Sequence, residues 1–188
     1  MAVNNENIKK IENLIKNLSG QIIISIDGPC GSGKSTISKE INDALGFNIV
    51  HMDDFYLPFD KRDKNWVNEI AGNMDFDRLI DKVIIPYKEN RKAEYISYDV
   101  HSDKYLKEIP IDLNKILVIE GSYSTHPRLS KYTDIKIFID IDKDEQIVRL
   151  TKRNPKVVDK FLSMWVPYEN IYFEKMDIKN NCDLVLTV

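Results

Sequence analysis

Cysteine is nearly absent from this chain. Cys30 and Cys182 are the only two among 188 residues, and they lie far apart. That argues against a disulfide framework or a cysteine-built zinc site, and it fits a reducing, cytoplasmic setting. No apolar run approaches the roughly 20 residues that a membrane helix needs. Residues 1–20 do not place a basic start before an apolar stretch, so no secretory leader is expected. Charge of one sign is not concentrated anywhere: 27 basic and 30 acidic residues leave a net charge of −3. An electrostatic nucleic-acid surface is therefore not expected. Seven glycines and seven prolines form no linker, and no repeat or low-complexity segment is present. One domain over residues 1–188 is the expectation, with homo-oligomerisation left open.

Short apolar runs alternate with helical patterns. Ile8, Ile11, Leu14, Ile15 and Leu18 have helical spacing, closed by Ser19-Gly20. Gln21–Ile26 reads as a strand buried on both faces. Lys34–Leu45 reads as a helix and Asn48–Met52 as a second strand. Residues 53 to about 75 are irregular, Arg78–Ile85 is a short helix closed by Pro86, and Glu94–Asp99 with Tyr105–Ile109 can form a hairpin. Ile116–Glu120, Ile135–Asp140 and Asp183–Val188 add three strands, and Lys143–Arg153 and Lys156–Met176 two helices. The alternation implies an α/β fold with a mostly parallel sheet.

Gly28-Pro29-Cys30-Gly31-Ser32-Gly33-Lys34-Ser35 fits G-x-x-x-x-G-K-[ST] between a predicted strand and a predicted helix. In that setting backbone N–H groups and a helix N-terminus face phosphate oxygens. Lys34 is expected on the β- and γ-phosphates of ATP and Ser35 on Mg²⁺, with Thr36 completing the nucleotide-binding run. Cys30 reads as a small residue at a variable position rather than a regulatory thiol. Ligands of open parallel sheets bind beyond the carboxyl ends of the strands, and several strands here end in acids. Glu120 closes ILVIE and reads as a metal-holding acid. Asp53 is the candidate base that accepts a hydroxyl proton, with a place in the metal shell also considered, while Asp54 reads as structural. On spacing alone the pair serves equally well as a turn or helix cap. Asp27 is open between hydrogen bonding within the loop and metal contact.

Together these residues resemble the uridine kinase family of P-loop nucleoside kinases over roughly residues 21–188. The resemblance implies a P-loop NTPase fold, a three-layer α/β/α sandwich with a small hairpin and lid insertion. It also implies transfer of the ATP γ-phosphoryl group to a hydroxyl of a small metabolite, foremost a uridine- or cytidine-like nucleoside. His51-Met52-Asp53-Asp54-Phe55-Tyr56 looks like the family's D-[SD]-F-Y segment, which would make Asp53 the base and Tyr56 a nucleoside contact. Asn73-Met74-Asp75-Phe76-Asp77 is similar to its N-F-D segment, with Asp75 on the ribose. Tyr98-Asp99 and His101 resemble the segment lining the base pocket, and Glu120-Gly121 the metal-site region. Arg149 and Arg153 fall on the helix leading to the family's lid, whose arginines approach the transferred phosphate.

Two residues bear a second reading: Arg149 sits four residues after Glu145 and can pair with it, and His101 is evenly a pocket or a surface residue. The chain departs from the family where Arg153-Asn154-Pro155 leads almost directly into another helical segment, and where Leu150 replaces an arginine. Asp53 to Pro58 is also similar to nicotinamide riboside kinases, so another acceptor stays open. A nucleotide switch is the rival class, but no N-K-x-D signature is present.

Overall fold

The computed structural model describes residues 5–153 and 155–188; Asn154 of the lid junction lies outside them. Five strands form one parallel sheet in the order β2-β5-β1-β6-β7: β1 Ile23–Asp27, β2 Asn48–His51, β5 Leu117–Glu120, β6 Ile135–Asp140 and β7 Leu184–Thr187. All five residues of β1 are buried, Ser25 and Asp27 among its three isoleucines, as fits a central parallel strand covered on both faces. Strand alternation splits the apolar residues between two faces. Ile24, Ile26, Val118, Ile137 and Ile139 join Ile11 of α1 (Asn5–Ile15) and Ile37 and Ile41 of α2 (Lys34–Leu45). Ile23, Leu117, Ile119 and Phe138 join Leu79, Val83, Tyr87 and Tyr172 on the opposite face. The result is a three-layer α/β/α sandwich. Each fully buried isoleucine contributes about 1.5–3 kcal/mol by leaving water.

The hairpin pairs β3 (Glu94–Asp99) with β4 (Lys104–Pro110) in antiparallel register, with an irregularity between Ile96 and Tyr98. Residues 53–75 are largely irregular, with 3₁₀ turns at Met52–Phe55, Phe59–Lys61 and Trp66–Asn68.

Pro86 does not close its helix. Helical structure begins at α3 (Phe76–Leu79), passes through a π turn at Ile80–Ile84 and resumes as α4 (Ile85–Lys88), with Pro86 in the first turn of the resumed helix. The Ile85 N–H bonds the carbonyl five residues back, at Ile80. The widened turn relieves the clash that a proline ring makes with the carbonyl four residues before it, and the missing N–H falls where a first turn needs none. The second half of the chain repeats the device. After α5 (Pro127–Ser130) and α6 (Lys143–Arg153), the helical stretch expected over 156–176 runs as α7 (Val158–Lys160), a π turn at Phe161–Trp165 and α8 (Val166–Lys175), with Pro167 again two residues past the π turn.

Candidate active site

At the carboxyl edge of the sheet, Glu120 of β5 stands in register with Ile26 of β1 on one side and His51 of β2 on the other. The loop that leaves β1 and the segment that leaves β2 are thus two strand spacings apart, about 10 Å. Two glycines permit the close approach. At Gly28 (φ 146°) a Cβ would lie 2.3 Å from the Ile139 carbonyl oxygen, and at Gly121 (φ 128°) it would lie 2.8 Å from Met52 Cβ.

The glycine-rich loop is built around Lys34. Its ammonium donates to Gly28 O (2.6 Å) and Pro29 O (3.0 Å), which curls the side chain beneath the loop at the start of α2. The Ser32 hydroxyl is buried and has no hydrogen-bond partner among the described residues. Asp27 ties the start of the loop to Thr125 and Tyr172. It is fully buried and accepts from Gly28 N (2.8 Å), Thr125 N (3.0 Å), Thr125 Oγ1 (2.7 Å) and Tyr172 OH (2.8 Å). Burial raises its pKa despite those donors.

Ser35 Oγ donates to the Glu120 carboxylate at 3.1 Å, and His51 Nδ1 lies 2.5 Å from the same group. That hydrogen bond raises the His51 pKa above its ordinary value. One hydroxyl and one carboxylate are hard oxygen donors suited to Mg²⁺, which keeps several waters and takes phosphate oxygens rather than a full protein cage. Among the described residues no three His, Cys, Asp or Glu side chains are grouped to hold a metal. Ser35 and Glu120 are a pair that fits the ion.

Asp53 opens outward on the 3₁₀ turn after β2, and the Tyr56 hydroxyl donates to it at 3.2 Å. Burial, and next the Asp53 charge, push the Tyr56 pKa far up, so the phenol stays a donor. Asp54 has the structural role expected of it: it is half-buried and accepts from Tyr95 OH at 2.9 Å. The segment is pinned by antiparallel bonds from Leu57 N to Asn73 O (2.8 Å) and from Asp75 N to Phe55 O (2.7 Å).

Asp75, expected to face a ribose, caps α3 and pairs with Arg78: it accepts from Arg78 N and from Arg78 Nε, each at 3.1 Å. The rest of the Arg78 guanidinium reaches Ile96 O (2.8 Å) and Asp54 O (2.7 Å) and lies 4.5 Å over the Phe55 ring, tying the hairpin to the Asp53 turn. Asp75 also borders a cleft of about 340 Å³ with Leu57, Met74, His126 and Arg128. Tyr98 is buried, donates to Asp103 and meets Tyr105 edge-on at 5.4 Å. His101 is exposed in the hairpin turn, its N–H bonded to Asp99 at 3.0 Å.

Arg149 pairs with Glu145 (2.7 Å), and its Nη1 points at Ser32 O of the loop from 3.5 Å. Arg153 is exposed at the end of α6. Leu150, in place of a family arginine, is fully buried against Gly31. The residues that sequence reading missed are Gln146, Glu169, Ser122, Thr125 and Tyr172. Gln146 Nε2 donates to Cys30 O (2.8 Å), and Glu169 accepts from Cys30 N (2.7 Å) and from the Ser122 hydroxyl. The one signal was helical spacing, which sets Gln146 on the face of buried Leu150 and Glu169 on the face of buried Tyr172.

Residues 23–156 match the model of the phosphoribulokinase / uridine kinase family. A uridine kinase of Bacillus mycoides (strain KBAB4) is 30% identical over 173 residues, covering 81% of this chain and 80% of that protein. A Bacillus stearothermophilus structure described as a possible uridine kinase superposes with a TM-score of 0.75 at 18% identity, covering 97% of this chain and 98% of its own. A Silicibacter protein with a proposed assignment as a fructose transport system kinase gives a TM-score of 0.74 at 18% identity, over 98% of each chain. The two structures share the fold. With the family model spanning most of the sequence and the loop, Glu120 and Asp53 gathered at one sheet edge, this chain belongs to the phosphoribulokinase / uridine kinase family and is a P-loop kinase.

Proposed function

We propose that this kinase moves the γ-phosphoryl group of ATP to a primary hydroxyl of a nucleoside of the uridine or cytidine type. The observation that carries the reading is the register that sets Glu120 between Ile26 and His51, because it brings the phosphate loop and the Asp53 turn to one edge. Lys34 meets the phosphate tail, and Ser35 with Glu120 would hold Mg²⁺, which when bound neutralises phosphate charge. Asp53, oriented by Tyr56, accepts the proton of the attacking hydroxyl. Catalysis is then positioning and charge neutralisation rather than covalent chemistry. Arg149 adds positive charge beside the loop, and Arg153 joins it as the segment after α6 closes and excludes water. Tyr56, Asp75, Tyr98 and His101 border the acceptor, with Asp75 acting while paired to Arg78. The chain works as a single domain in the cytoplasm; among the described residues no helix is long and apolar enough to cross a membrane.

A second acceptor reading, nicotinamide riboside or a non-nucleoside alcohol, is favoured by the short connection from Arg153 to Val158, which leaves little lid over the acceptor. A coupled ADP-release screen over nucleosides, riboside vitamins and sugar alcohols separates the two. Uridine- or cytidine-dependent ADP release supports the first reading. Release driven by another alcohol alone replaces the acceptor, and ATP turnover indifferent to every acceptor overturns the kinase in favour of a switch.

A further inference from the structure

The peptide groups on either side of Cys30 are gripped by two side chains from distant parts of the chain. Glu169 of α8, 139 residues away, accepts the Cys30 N–H at 2.7 Å. Gln146 of α6, 116 residues away, donates to the Cys30 carbonyl at 2.8 Å. Both side chains belong to residues that are only 6% exposed. A glutamate and a glutamine are rarely buried to this degree unless their polar atoms are engaged. Glu169 is held in turn by the Ser122 hydroxyl, just beyond the Glu120 strand end.

Peptide geometry gives the grip a consequence. In a trans peptide the carbonyl of one residue and the N–H of the next point in opposite directions. By holding the Cys30 carbonyl towards α6, Gln146 turns the Gly31 N–H away from α6. By holding the Cys30 N–H, Glu169 turns the Pro29 carbonyl the other way, onto the Lys34 ammonium that it meets at 3.0 Å. Two neighbouring peptide planes are thereby fixed in a loop whose glycines would otherwise leave them free to flip.

We propose that Glu169 and Gln146 are positioning residues that clamp the Cys30 peptides and preset the phosphate-binding orientation of the loop. Neither touches the phosphates; each acts through the backbone. The proposal rests on the kinase reading above. Glu169 acts here through geometry rather than charge, since its carboxylate lies on the far side of the Pro29–Cys30 peptide from Lys34.

The test is equilibrium binding of ATP and of inorganic tripolyphosphate, with magnesium, to the full chain and its variants, with thermal melts alongside. Glu169→Ala and Gln146→Leu each leave a buried Cys30 backbone group without its partner and free the loop. Both should weaken ATP and tripolyphosphate by about tenfold or more, the cost of one strong hydrogen bond in the site. Glu169→Gln keeps an acceptor for the Cys30 N–H and offers Ser122 an amide N–H, to which the hydroxyl can turn as acceptor, so it should restore binding to within about threefold of wild type. A purely structural role would lower the melting temperature of Glu169→Ala without separating it from Glu169→Gln in phosphate affinity. Unchanged affinity in both Glu169→Ala and Gln146→Leu overturns the clamp while leaving the kinase intact. Glu169→Gln as weak as Glu169→Ala overturns the geometric account. Wild-type protein that binds neither probe overturns the kinase reading and the clamp with it.

Discussion

The Ser35 hydroxyl and the Glu120 carboxylate meet at 3.1 Å although 85 residues separate them in the chain. Ser35 arrives on the first turn of α2 and Glu120 on the last residue of β5, and parallel pairing of β5 with β1 is what joins them. Glu120→Gln keeps the shape and the hydrogen bond but removes the charge. It should raise the magnesium concentration needed for half-maximal turnover by about 10–100-fold, with little change in melting temperature. A magnesium titration of ADP release with an unchanged midpoint would remove Glu120 from the metal site.

Asp53→Asn should leave ATP affinity within about threefold of wild type, since Asp53 is not part of the loop. Its turnover should fall by about 10²–10⁴-fold, the usual contribution of a positioned base. Tyr56→Phe, which removes only the donor to Asp53, should show a smaller loss in the same direction. Steady-state kinetics with the acceptor found by the screen checks both. A strong loss of ATP binding in Asp53→Asn, or turnover equal to wild type, would assign the proton to another group.

His126 is 8% exposed, stacks on Phe76 with ring centroids 4.6 Å apart, and accepts from Arg128 N at 3.2 Å. Burial first, and then the Arg128 charge, push its pKa from 6.5 down to about 4. The unfolded chain therefore binds a proton that the folded chain refuses between those values. The stability this neutral histidine allows is complete above about pH 6.5 and is lost as pH falls towards 4. Discounted for partial solvent screening, the loss is of the order of 1–2 kcal/mol. Chemical denaturation at pH 7 and pH 4.5 of wild type and His126→Leu isolates it: the variant should lose less on acidification. An equal or greater loss in His126→Leu would show that the ring titrates freely in the fold.

Cys30 lies in the phosphate loop, yet its thiol is poorly suited to reaction. Burial, and next the charge of Glu169, hold its pKa far above the ordinary thiol range, and burial pushes Cys182 up to about 12. Because the thiolate is the reactive form, iodoacetamide at pH 8 should label the folded protein slowly at both cysteines and the denatured chain quickly. Fast labelling of Cys30 in the folded protein, read by mass spectrometry, would revive a redox role for it.

Much of the fold could be read directly from the chain because the relevant physics is local. The isoleucine-rich runs at 23–27 and 135–140 are short and apolar enough to read as buried strands, and Lys34–Leu45 and Lys143–Arg153 show their helical faces within a few turns. The phosphate loop is legible for the same reason: its glycines are needed for backbone conformations set by adjacent residues. Pro86 misled because a proline is read as a helix breaker from its own geometry, whereas the π turn that accommodates it is stabilised by packing of Ile80, Val83 and Ile84 into the core.

What the amino-acid order alone determined was the set of elements, the anion-binding loop, and the acids that strand ends could deliver to one edge. Tertiary structure decided how those groups are held. It joined Asp27 to Thr125 and Tyr172 across 98 and 145 residues, occupied Asp75 with Arg78, and brought Gln146 and Glu169 to Cys30. Helical spacing sets Gln146 and Glu169 on buried faces but does not name their partner, because a polar residue on a helix looks the same whether it meets water or a backbone amide. Only the docking of α6 and α8 against the loop removes the water, and a buried polar atom must then find its partner in the protein.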